Sequence, residues 1–109
     1  MDNPFAGEVS ITLNGDRHVM RLTLGALAAL EAQLEADSLI ALVARFERGE
    51  QRVEDIISLL AAGLKGGGWE GDERDLVDGD IDGGVIAASR AAALLLTRAF
   101  SVPEQGAYA

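Results

Sequence analysis

EVSITLNGDRHVMRL, residues 8–22, is the stretch that decides the fold. Val9, Ile11 and Leu13 alternate with Glu8, Ser10 and Thr12, the period of two expected of a strand with one buried face. Asn14-Gly15-Asp16 supplies residues that tolerate positive φ, and a second alternation follows, with His18, Met20 and Leu22 on one side and Arg17, Val19 and Arg21 on the other. The reading is a β-hairpin within residues 8–23. A two-stranded hairpin is marginal alone in water, so its Val9, Ile11 and Leu13 face is expected to pack on the rest of the chain.

Outward from the hairpin the apolar period changes from two to that of a helix. Thr23 is a candidate cap for a helix over about 24–35, with Leu24, Leu27, Leu30 and Leu34 at helical spacing. Asp37 or Ser38 caps a second, 38–48, on Leu39, Leu42, Val43 and Phe46, with Gly49 as its left-handed stop. A third covers 53–64 on Val53, Ile56, Ile57, Leu60 and Leu64, and Gly66-Gly67-Gly68 reads as a linker ending it. The acidic, glycine-rich segment 66–84 is the least regular part of the chain, with room for one helical turn near Glu73 to Val77. Asp82 is the expected cap of the last helix, 83–100, which Pro103 closes; residues 103–109 read as a flexible tail. The fold class is therefore α+β: an N-terminal β-hairpin followed by a mostly helical bundle of four to five helices, forming a single domain over 1–102.

Composition narrows the function. With 109 residues and no cysteine, the chain is expected to fold as one domain without disulfides or thiolate metal sites, in a reducing cytoplasm. Met1-Asp2-Asn3-Pro4 does not resemble a signal peptide, and the longest apolar run, Ala91 to Leu96, is far short of the ~20 residues that span a bilayer. A formal charge of −9 opposes the phosphate backbone, so neither nucleic acid nor membrane is an expected partner. Yet 49% of the residues are hydrophobic, too many for a disordered acidic tail.

No pattern of catalytic or cofactor-binding residues stands out. His18 is the single histidine, which removes histidine metal pairs, and Gly66-Gly67-Gly68 runs into Trp69-Glu70 where a phosphate loop needs a lysine and a hydroxyl. Glu31, Glu35, Glu47, Glu54 and Asp55 read as a solvated helix face. Asp78-Gly79-Asp80-Ile81-Asp82-Gly83, with Val85 at the apolar eighth position, fits the first half of a calcium loop, but position twelve is Ser89 where a bidentate glutamate is needed. An acidic loop leading into the next helix accounts for the same residues. The expectation is a protein that binds other proteins and is not an enzyme.

Two features are candidates for the binding surface. Trp69, the single tryptophan, is either an interface anchor or a side chain folded back on the core. Projection of the last helix at 100° per residue puts Val85, Ala92, Leu96 and Phe100 on a core stripe. It puts Arg90, Leu94 and Arg98 on the opposite face, either as a solvated surface or as a contact patch.

The order of these segments resembles a known family. Asn3-Pro4, Gly7-Glu8-Val9, the turn at Gly15, Arg21-Leu22-Thr23 and Gly25-Ala26-Leu27-Ala28-Ala29-Leu30-Glu31 carry the resemblance, which continues through Ala62-Gly63-Leu64 to Leu94-Leu95-Leu96 and Phe100. They are similar to the small tail protein of alphaproteobacterial gene transfer agents and related siphophage-like prophages, a family regarded as tail assembly chaperones. His18, where an aromatic is common, and Arg52, where a small polar cap is usual, depart from its pattern. The resemblance implies a chaperone that binds the tape-measure protein while tube subunits assemble around it. The alternatives are a structural tube or tail-end component retained in the particle, with the same partners, the tape-measure protein and/or the tail tube protein, and a homo-oligomer as a further option, and a calcium-binding or other small regulatory module outside any phage context.

Overall fold

A computed structural model describes residues 7–34 and 38–100. In chain order these form β1 (Val9–Leu13), β2 (Asp16–Met20), α1 (Leu24–Leu34), α2 (Leu39–Glu47), α3 (Val53–Gly66), α4 (Glu73–Val77) and α5 (Gly84–Phe100), so the fold is α+β, a hairpin followed by helices. Asn3-Pro4, the cap candidate Asp37 and the tail 103–109 lie outside the described residues.

β1 and β2 are antiparallel, with Val9 opposite Met20 and Leu13 opposite Asp16. The two turn residues, Asn14 at φ 53 and Gly15 at φ 86, have the two positive φ values of a type I′ turn, whose twist matches that of the strands it joins. This turn fixes the register, and the register sends Val9, Ile11, Leu13 and Met20 into the core together.

Local chemistry sets the helix ends. Thr23 Oγ1 accepts from the Ala26 amide (3.0 Å), and Ser38 Oγ accepts from Ala41 (3.1 Å). α2 stops at a Schellman motif: the Glu50 amide donates to the Arg45 carbonyl and the Gly49 amide to that of Phe46, with Gly49 at φ 71. Asp72 and Asp75 cap α4 reciprocally.

α3 is the central element, packed by α1, α4, α5 and β2. Its Leu59, Leu60 and Leu64 are fully buried, together with Met20, Leu30, Leu42 and Leu95 from the elements around it. The Gly66-Gly67-Gly68 run is not a linker. α3 continues through Gly66, and a Cβ on Gly66 or Gly67 would lie 1.9 Å from the Arg21 carbonyl oxygen or 2.0 Å from that of Val19. The glycines let the end of α3 lie directly on the backbone of β2, where the Arg21 amide donates to the Gly63 carbonyl (2.9 Å).

The start of α5 also departs from expectation. Gly83 and Gly84, both at positive φ, lead into the helix, and Asp82 gives its backbone to another task. Its amide donates to the Thr12 carbonyl (3.1 Å), the Asn14 amide donates to the Asp80 carbonyl (2.8 Å), and Leu13 and Ile81 form an antiparallel bridge. The acidic segment thus adds a short third stretch of backbone to the free edge of β1.

Candidate docking groove

The phase of α5 decides which side chains are open to a partner. Ala88, Ala91, Ala92, Leu95 and Leu96 are buried, whereas Val85 and Phe100, expected in the core, are exposed. The core stripe is turned by somewhat less than one residue step of about 100° toward Ala88 and Ala91, because small side chains let the helix sit close to α3 and β1. The open stripe then runs through Ile86, Arg90, Leu94, Thr97 and Phe100, with Ala93 half-buried beside it.

Beside the N-terminal half of this stripe lies an apolar groove of about 340 Å³. Its floor is Ile56, Ile57 and Leu60 from α3 and Leu76 from α4, and Ile81 and Val85 close one wall. Among the described residues Asp80 is its single charged lining residue. Val53, Ile56 and Val85 also line an adjoining lobe with Gln51, Ile86, Ser89 and Arg90, so the two form one surface with Asp80 in one lobe and Arg90 in the other. Val53, Val77, Val85 and Ile86 on this surface are between 58 and 72% exposed, a concentration of large apolar side chains that marks contact sites on proteins. The cause is local: α4 has five residues and covers only part of the α3 face.

The walls are held firmly. Asp55, read from the sequence as part of a solvated face, is 3% exposed. Both its oxygens accept from Arg45, Nε at 2.9 Å and Nη2 at 2.8 Å, and Oδ2 also accepts the Arg52 amide at 2.9 Å. Asp55 thereby does the capping that Arg52 cannot do, and it fixes the start of α3, where Val53 stands. Burial pushes its carboxyl up, but the bonds and charges of Arg45 and Arg52 outweigh that and hold it below the ordinary 3.8. Gln51 Nε2 donates to Ser89 Oγ (3.0 Å), joining the residues ahead of α3 to α5, while Gln51 Oε1 is buried without a hydrogen-bond partner among the described residues. On the opposite wall the Asp80 amide donates to Asn14 Oδ1 (2.9 Å), which fixes the acid at the rim.

The four residues singled out from the sequence do not form one patch. Arg90 lines the groove. Leu94 is 36% exposed and lies on the side of α5 that turns toward Arg98, and Arg98 donates to the Glu8 carbonyl at the start of β1, so it acts as a tie to the hairpin. Trp69 is half-buried and meets the His18 ring edge to face, centroids 6.4 Å apart at 71°, so it is folded back on β2. Val53, Val77, Val85 and Ile86 were missed. A partial signal lies in Ile86, which falls outside the stripe of Val85, Ala92, Leu96 and Phe100 and so has no core position on that helix.

Among the described residues no group of three or more histidine or acidic side chains is placed to hold a metal ion, and no helix is long and apolar enough to cross a membrane. What the groove offers is apolar contact area with an acid in one lobe and a cation in the other. The chain belongs to the family described as "Phage tail tube protein, GTA-gp10", which matches residues 6–102. It is thus a tail protein of the phage or gene-transfer-agent kind. No curated protein and no solved structure matches it.

Proposed function

We infer that the protein is a structural component of the tail, retained in the particle beside the tube and acting by binding rather than by catalysis. The observation that carries this reading is the family match over residues 6–102, whose description names the tail tube. The open groove supports it, because a subunit of an assembly needs an apolar face left uncovered in the monomer. Its partners are then other tail proteins or further copies of itself.

A second reading, the assembly chaperone of the tape-measure protein, is favoured by the net charge of −9 beside that apolar face. Such a protein covers apolar segments of a client and adds charge that resists aggregation. Purified particles separate the two. Mass spectrometry of intact tails should find this chain in constant proportion to the tube protein. Its absence from tails, together with co-purification of the tape-measure protein from producing cells, would replace the structural reading with the chaperone.

A further inference from the structure

We propose that the groove between α3, α4 and α5 seats a short amphipathic helix of a partner tail protein, with a cation of that helix at the Asp80 end and an acid at the Arg90 end. This rests on the reading of the protein as a tail component that works by docking.

Three observations fix the chemistry of the occupant. First, the floor is aliphatic, and the exposed Val53, Val77, Val85 and Ile86 rise around it, so the buried side of the occupant is apolar. From Gly84 to Ala93 along α5 is about 14 Å, which accommodates two to three turns of helix carrying apolar residues at spacings of three and four.

Second, the ends differ in charge. Asp80 is exposed and forms no ion pair among the described residues, and Asp78 and Asp82 beside it and Glu54 next to Val53 are equally unpaired. Arg90, in the other lobe, is exposed and likewise without an ion pair. A uniformly acidic helix meets like charge at the Asp80 end, and a uniformly basic one leaves Arg90 opposed. A helix with a cation at one end and an acid at the other complements both.

Third, the lobe that holds Arg90 is also lined by the polar side chains of Gln51 and Ser89, which suits the polar end of such a helix. The rim is preorganised, since Asp80 is held by Asn14 and Gln51 by Ser89, so little ordering opposes binding.

The test uses the full chain and stapled, fluorescent helices of roughly 12 residues with one leucine stripe. One probe carries lysines at one end and glutamates at the other; a second carries glutamates at both ends. Fluorescence anisotropy should show saturable binding of the bipolar probe, about tenfold tighter than the acidic one. Amide shifts should concentrate at Val53, Val77, Val85, Ile86 and Arg90. Asp80→Lys and Arg90→Glu should each weaken the bipolar probe roughly fivefold, and the double exchange should restore it, because the helix then seats in reverse.

Equal affinity for the two probes, shifts centred elsewhere, no saturable binding, or no rescue by the double exchange overturns the proposal. So do shifts at these residues that grow with protein concentration alone, which assign the groove to a second copy of the chain. A failure here with the protein still present in tails removes this proposal and leaves the tail reading intact. Absence from tails removes that reading without altering the probe result.

Discussion

Gly66→Ala places one methyl group where α3 ends on β2. The added Cβ would lie 1.9 Å from the Arg21 carbonyl oxygen and 3.1 Å from its carbon, and ordinary contact begins near 3.4 Å. The obstacle is backbone on an inner face, so no side-chain rotation relieves it; helix and strand must separate by more than about 1 Å. That displacement stretches the Arg21 amide to Gly63 carbonyl bond, 2.9 Å in the parent. Overpacking of this kind costs about 1–3 kcal/mol and the weakened bond about 1 kcal/mol more, for a total of about 2–4 kcal/mol. In a chain of this size the melting temperature should fall by roughly 10–15 °C. Gly25→Ala is the matched control: it lies exposed in the first turn of α1, where the added methyl meets nothing nearer than Thr23 Oγ1 at 3.9 Å, and helix propensity favours alanine. Thermal unfolding followed by circular dichroism should separate the two variants clearly. If Gly66→Ala melts with the parent, the glycine run is a spacer after all and the close approach of α3 to β2 is wrong.

Asp55→Asn should cost about 2–4 kcal/mol at neutral pH, since it removes the buried carboxylate that pairs with Arg45 at 2.8 Å. The Asp55 carboxyl lies below its unfolded value, so its contribution is fully present above about pH 4 and is lost as the pH falls through the folded value. Unfolding midpoints between about pH 5 and 2 should therefore fall less steeply in the variant than in the parent; parallel curves would show that Asp55 is not the titrating group. Leu94→Asp and Ile11→Asp should diverge: Leu94 is open enough to accept a charge within about 1 kcal/mol, whereas Ile11, 7% exposed, forces one toward the core at a cost of several kcal/mol. Equal melting temperatures for these two would contradict the packing of the hairpin.

The elements were legible because their signals are local. Alternation at Val9, Ile11 and Leu13, the positive-φ pair at Asn14-Gly15, and the caps at Thr23, Ser38 and Gly49 each depend on a few neighbouring residues. What was not legible depends on approach between distant segments. The glycines at 66 and 67 read as a break because the carbonyls of Arg21 and Val19 that require them are more than forty positions away. Asp55 read as a surface acid because Arg45 belongs to the preceding helix. The phase of α5 was misplaced because Val85 and Phe100 outweighed Ala88 and Ala91, although a close helix contact selects the small residues. The groove goes with that same phase, as Val85, expected on the core stripe, stands in solvent where α4 is too short to cover it.

In the proposed role the exposed apolar rim is what joins this chain to the tail. Val85→Asp with Ile86→Asp changes two side chains that stand in solvent, so the variant should keep the circular dichroism spectrum and stay within about 1 kcal/mol of the parent. Expressed in place of the parent in producing cells, it should accumulate as folded protein yet be missing from purified tails, and quantitative mass spectrometry of those particles is the decisive measurement. A folded variant present in tails at the parental ratio to the tube protein would contradict the claim.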